Sequence, residues 1–180
     1  MTKKEVLNIL EWSLVIFVAF YMSIYGEAKA LQFGDINQYT RPLFSYDGMS
    51  LMWAFYSYSK PYAIILGIFE ILGSIFFLVP KTRIIGAFVL SSILINVILQ
   101  DYFYGVHRGA MANAIIYQII IFIVLFMNKQ KVMMMIKNSK IDFNFSRKKM
   151  GLKLILVVII LFILMIMQEG MGMLLNYLKI

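Results

Sequence analysis

The chain has 180 residues, 62% of them hydrophobic and 14% charged, with a mean hydropathy of +0.82, a formal net charge of +8, no cysteine and one histidine, His107. A soluble domain is nearer half apolar and a quarter charged, so this is the composition of a polytopic membrane protein. The missing cysteines exclude disulfides, thiolate metal sites, Fe–S ligation and dithiol redox chemistry by this chain, and a single histidine removes metal sites of several imidazoles and histidine-activated nucleophiles.

After a polar start with Lys3 and Lys4, residues 7–25 form the first apolar segment, interrupted near its beginning by Glu11 and Trp12. Ala28-Lys29-Ala30 fits a small-x-small cleavage pattern, but the apolar run is long for a signal peptide and reads as an uncleaved helix. Trp12 then sits at an interfacial depth. Residues 26–60 are too long for a turn and too aromatic for a free loop. Their first half, with Gly34, Asp35, Asn37, Arg41 and Pro42, is irregular chain. In the second half Tyr46-Asp47-Gly48 signals a turn, and Asp47 or Ser50 is suited to cap a helix over 50–59. That helix is about 15 Å long, too short to span a bilayer, and is expected to be re-entrant or interfacial, covering the outer mouth.

Residues 61–80, bracketed by Pro61 and Pro80, are apolar throughout except for a central Glu70. Pro61 suits a first helical turn. A helix of this length crosses the roughly 30 Å hydrocarbon core with Glu70 about half-way, where an acid costs on the order of 2.5–3.5 kcal/mol and turns inward. Gly67, Glu70, Gly73 and Ser74 share one face, so a neighbouring helix can approach beside the acid. Lys81-Thr82-Arg83 is so short that the third segment, residues 84–100, must return antiparallel; it carries Asn96 and ends in Gln100-Asp101. An aromatic and polar loop leads to the fourth segment, residues 110–127, with Asn113, Tyr117 and Gln118. A basic link over 128–149 precedes a fifth segment from Leu152 to Met167 or beyond. The expected fold class is all-α transmembrane: a four-helix portion over 1–128 with an outer loop over 26–60, a basic cytoplasmic linker over 129–150, and a fifth transmembrane helix over 151–180.

Charge sets the expected topology. Of the 17 Lys and Arg, two lie at the N-terminus, two in the turn holding Lys81 and Arg83, and eight in the link counted through Lys153. Only Lys29, Arg41, Lys60, Arg108 and Lys179 fall on the other side. The positive-inside rule gives a cell-membrane protein of five spans, N-terminus cytoplasmic and C-terminus outside. The link, with Val132-Met133-Met134-Met135-Ile136 between lysines, reads as a surface helix attracted to anionic lipid. No nucleic-acid-binding motif accompanies the charge, and the phosphate-loop, dinucleotide, nucleophile-elbow and HExxH signatures are absent.

Depth counting brings Glu70, Gln118 and Asn96 into one layer of the outer half, with Tyr25 and Tyr117 beside them and Lys29 at the rim. Three readings stay open for this layer: an interhelical hydrogen-bond cluster that fixes packing, a ligand or proton site, or lipid-facing polar residues without a role.

These residues carry a resemblance. Tyr25-Gly26 with Lys29, Gly67-Ile68-Phe69-Glu70-Ile71-Leu72-Gly73, and Lys81-Thr82-Arg83 leading to Gly86 resemble the DoxX-like family of small membrane proteins over residues 5–128. LMWAFYSYSKPY at 51–62 and NVILQDYFYGV at 96–106 are similar to its subgroup with an extended first outer loop. The resemblance implies an antiparallel four-helix membrane bundle; the fifth span and the basic linker depart from that pattern. Its members include a subunit of a quinone-linked thiosulfate oxidoreductase, a component of a membrane redox complex, and eukaryotic relatives that assist receptor-channel assembly. Without cysteine, a thiol relay is not expected here. The leading expectation is a non-catalytic membrane protein whose pocket, or assembly surface for a membrane-protein partner, is anchored on Glu70. Asn96, Gln118, Tyr25, Tyr117 and Lys29 would surround it and the Trp53 helix would lie over it, the ligand being small and amphipathic or lipid-like. The alternative is a quinone-binding subunit of an oxidoreductase complex, with Glu70 or Asp101 moving protons and tyrosines stacking on the quinone ring.

Overall fold

The computed structural model describes residues 1–138 and 150–177. Residues 139–149, which make up half of the expected linker, and Lys179 lie outside the described residues. The described residues form helices and no strand: α1 (Lys3–Gln32), α2 (Gly48–Tyr58), α3 (Lys60–Leu78), α4 (Arg83–Phe103), α5 (Arg108–Met127), α6 (Lys129–Asn138) and α7 (Met150–Tyr177). Among them, α1, α3, α4, α5 and residues Gly151–Gln168 of α7 are long and apolar enough to cross a membrane. The chain divides into two compact units, residues 1–138 and 139–180.

Local chemistry sets the helix ends of the first unit. Thr2 and Glu5 form a reciprocal capping box at the start of α1. Beyond the apolar run, Glu27-Ala28-Lys29-Ala30-Leu31-Gln32 are good helix formers, so α1 continues well past Tyr25 and Lys29 lies within it. Asp47 caps α2 by accepting from the Ser50 amide at 2.7 Å. The observed Gly48–Tyr58 helix starts two residues before the expected one, because the cap lies at Asp47. Pro61 occupies the first turn of α3, and that helix closes at Leu78 before Pro80.

Within this unit α1 packs on α3 and α5, α3 on α4, and α4 on α5. The main core runs between them through Val15, Met22, Phe77, Leu90, Ile121 and Val124. Glycines let the backbones meet. A Cβ on Gly67 would lie 2.3 Å from the Gly26 carbonyl oxygen, and one on Gly86 would lie 2.2 Å from the Phe77 nitrogen. A second apolar cluster of Phe33, Met52, Tyr56 and Ala63 fastens α2 over the ends of α1 and α3. Gly48 abuts the Tyr104 carbonyl oxygen, where a Cβ would come within 2.6 Å.

The second unit contains α7. Every side chain described between Gly151 and Gln168 is exposed except that of Lys153, which is partly covered.

Candidate functional site

The crossing at Gly26 and Gly67 fixes the geometry of the site. With the two backbones this close, Lys29, one turn on from Gly26, reaches Glu70, one turn on from Gly67, and Lys29 Nζ lies 3.2 Å from Glu70 Oε1. The side chains are 14% and 2% exposed, so the ion pair is largely desolvated. Replacing such a pair by apolar groups is often neutral or stabilising by about 1–4 kcal/mol, so fold stability alone does not account for it. The second carboxylate oxygen, Glu70 Oε2, is buried without a hydrogen-bond partner.

Two adjoining cavities meet at this pair. One, of about 210 Å³, lies beneath α2 and is lined by Lys29, Glu70, Asp101, Tyr25, Trp53 and His107, with Met22, Met49, Met52 and Leu94 supplying apolar wall. The other, of about 250 Å³, shares Lys29, Glu70 and Asp101 and extends along α3 and α4 past Leu66, Ser92 and Asn96. α2 is held as a cover by ring contacts and one hydrogen bond. Phe33 stacks on Tyr56 at 4.6 Å between centroids and meets Trp53 edge-on at 5.8 Å. The Tyr56 hydroxyl donates to Gln100 Oε1 at 2.8 Å. Burial pushes the Tyr56 phenol above its ordinary range, which keeps it a neutral donor. The indole nitrogen Trp53 Nε1 is a second buried polar atom with no partner.

Of the eight expected site residues, Glu70, Lys29, Tyr25, Trp53 and Asp101 line the cavity beneath α2. Asn96 lines the neighbouring cavity, but its side chain is exposed at the outside of α4, opposite the face that carries Leu94. Gln118 and Tyr117 line neither cavity. Depth alone does not distinguish the faces of a helix. Gln118 points at α4, where its Nε2 donates to Ser91 Oγ at 3.0 Å, and its Oε1 is left without a partner. Tyr117 joins an aromatic group on α1, stacking on Tyr21 at 5.6 Å and tilting against Tyr25 at 6.0 Å.

Sequence reasoning missed Gln32 and Met22, although Met22, Tyr25, Lys29 and Gln32 follow one another at helical spacing on one stripe of α1. It also missed a polar knot at the other end of the helices. Arg83 pairs with Glu11, lies over the Trp12 ring at 4.5 Å, and donates to the Phe77 carbonyl at 3.3 Å, while Asn128 Nδ2 donates to Glu11 Oε1 at 2.8 Å. The signal was Glu11, an acid inside an apolar segment, with Arg83 at the matching end of another.

A stretch of 129 residues, 71% of this chain, is 30% identical to the uncharacterized protein YwoB of Bacillus subtilis (strain 168), and covers 82% of it. No family model matches the chain, and no solved structure matches it.

Proposed function

The chain belongs to the family of the Bacillus subtilis protein YwoB, and for a member of that family we propose a non-catalytic membrane protein that binds a small amphipathic molecule in the pocket around Glu70. The observation that carries the reading is the pair of buried, unpartnered polar atoms, Glu70 Oε2 and Trp53 Nε1, on residues that line one cavity with the methionines. Buried polar atoms without partners are rare in folded proteins, and a ligand with a polar head supplies what they lack. In this reading α1, α3, α4 and α5 form an antiparallel four-helix membrane bundle of the DoxX-like kind. The outward residues Ile65, Ile68, Leu72 and Ile75 of α3, each more than two-fifths exposed, then face lipid. The N-terminus and α6 lie in the cytoplasm, where Lys129, Lys131 and Lys137 attract anionic headgroups.

The test is to purify the full-length protein in lipid nanodiscs, extract it and identify retained molecules by mass spectrometry. An amphipathic molecule retained by the natural chain and lost from Glu70→Gln and Trp53→Phe supports the reading, and equal retention by all three overturns it. A quinone is the second candidate, favoured by the Trp53 and Tyr25 rings on the cavity wall. A copurified quinone would move the reading to a redox-complex subunit.

A further inference from the structure

The charges around the cavity do not balance. Lys29 is the only lysine or arginine in the lining of either cavity, and it faces two carboxyl groups, Glu70 and Asp101. Its short contact goes to Glu70 Oε1, and among the described residues no hydrogen bond or ion pair is made to the Asp101 side chain, although that residue is only 7% exposed. A buried carboxylate needs a counter-charge, which a proton or a cationic ligand can supply. The excess belongs to the cavity itself: elsewhere at this end of the unit Arg41, Lys60 and Arg108 balance Glu27, Asp35 and Asp47, on a chain whose net charge is +8. A cavity with one carboxylate in excess concentrates cations there.

The rest of the wall narrows the class. Among the described residues no group of three or more His, Cys, Asp or Glu could hold a metal ion. The apolar part of the lining is Met22, Met49, Met52 and Leu94 with the Trp53 ring. Trp is the best aromatic partner for an ammonium group, and methionine side chains adapt to an apolar body of irregular shape.

We propose that the site takes a monovalent amphipathic cation, a protonated amine with an apolar body, whose ammonium lies between Asp101 and the unpartnered Glu70 oxygen and whose body lies against Trp53 and the methionines. Glu70 qualifies as an anchor because its side chain is 2% exposed and one of its oxygens is unsatisfied while it lines both cavities. Lys29 holds the other oxygen, so the acid keeps its orientation whether or not the amine is bound. Entry is from the side, along the cavity that runs past Ser92 and Asn96 between α3 and α4, and α2 stays in place. This inference rests on the pocket reading above and adds the charge of the ligand.

The chain has two tryptophans, which makes a direct test available. Full-length Trp12→Phe in neutral-lipid nanodiscs leaves Trp53 as the reporter in the cavity. Trp53→Phe leaves Trp12 at the far end, as a control for partition into lipid. At neutral pH octylammonium is expected to change Trp53 emission saturably, at least tenfold more tightly than octanol or octanoate, without the same change at Trp12. Asp101→Asn and Glu70→Gln should each weaken octylammonium at least tenfold and leave octanol unchanged. Should Glu70→Gln not fold, Asp101→Asn alone decides. Octanol or octanoate binding as tightly as the amine, or an amine affinity indifferent to Asp101→Asn, would overturn the cationic class and leave the pocket standing. No saturable change with any of the three probes would overturn the pocket as well.

Discussion

Arg83 shows how much one side chain at a helix end can hold. Its guanidinium pairs with Glu11 of α1, donates to the Phe77 carbonyl, and lies over the Trp12 ring. The planar fork of arginine makes these contacts together, and a lysine ammonium cannot. Removing one partner of a buried pair leaves the other charge uncompensated, so Arg83→Ala is expected to cost about 3–5 kcal/mol. Arg83→Ala combined with Glu11→Gln should cost less than the sum of the two single changes. Thermal unfolding of the four proteins in one detergent reads both numbers. In the sequence Arg83 counts only as one of the charges that orient the chain. Its partner is 72 residues away, and the one local sign of it is Glu11 itself, an acid inside an apolar segment.

The elements differ in how sharply their sequence specifies them. The glycine and acid of residues 67–70 were legible because an acid inside an apolar helix must turn inward and a glycine lets a neighbour approach. The identity of that neighbour was not, since Gly67 meets α1 whereas Gly73 meets Leu90 of α4. Gly67→Ala would press a methyl group against a carbonyl oxygen that has no room to retreat. It should destabilise the protein by about 1–3 kcal/mol and part Lys29 from Glu70. Gly151→Ala in α7, where a Cβ meets nothing within 4 Å, is the counterpart, expected to be neutral or stabilising by up to about 1 kcal/mol. Melting temperatures of the two variants compare them directly.

α2 carries its own pH dependence. The Ser50 amide hydrogen bond holds the Asp47 carboxyl below the usual carboxylate range. Because the folded value is depressed, the cap's contribution is present above the unfolded value and is lost as the pH falls through the folded one. Amide exchange at the start of α2, corrected for intrinsic rates, should therefore quicken under acid. Asp47→Asn, which still caps but does not titrate there, should remove the dependence.

For the whole molecule, the number and order of the apolar helices were readable from hydropathy, prolines and the short Lys81-Thr82-Arg83 turn, because each is a local property. Which helix faces meet was not, and that is why Gln118, at a suitable depth on α5, turned towards Ser91 instead of Glu70. Orientation rests on charge, and the absence of cysteine makes it easy to measure, since any introduced cysteine is unique. With a membrane-impermeant thiol reagent on intact cells, Arg108→Cys should be labelled and Lys131→Cys should react only after the cells are opened. The reverse pattern would invert the proposed topology.

The knot at Glu11 also bears on the order in which the protein is made. Glu11 leaves the ribosome in the first helix, 72 residues ahead of Arg83 and 117 ahead of Asn128. Until the later helices emerge, the first one carries an acid with neither of these partners. Its final seating therefore waits on the last helix of the packed group, so that a chain truncated before Asn128 should leave its first helix open to quality-control proteases.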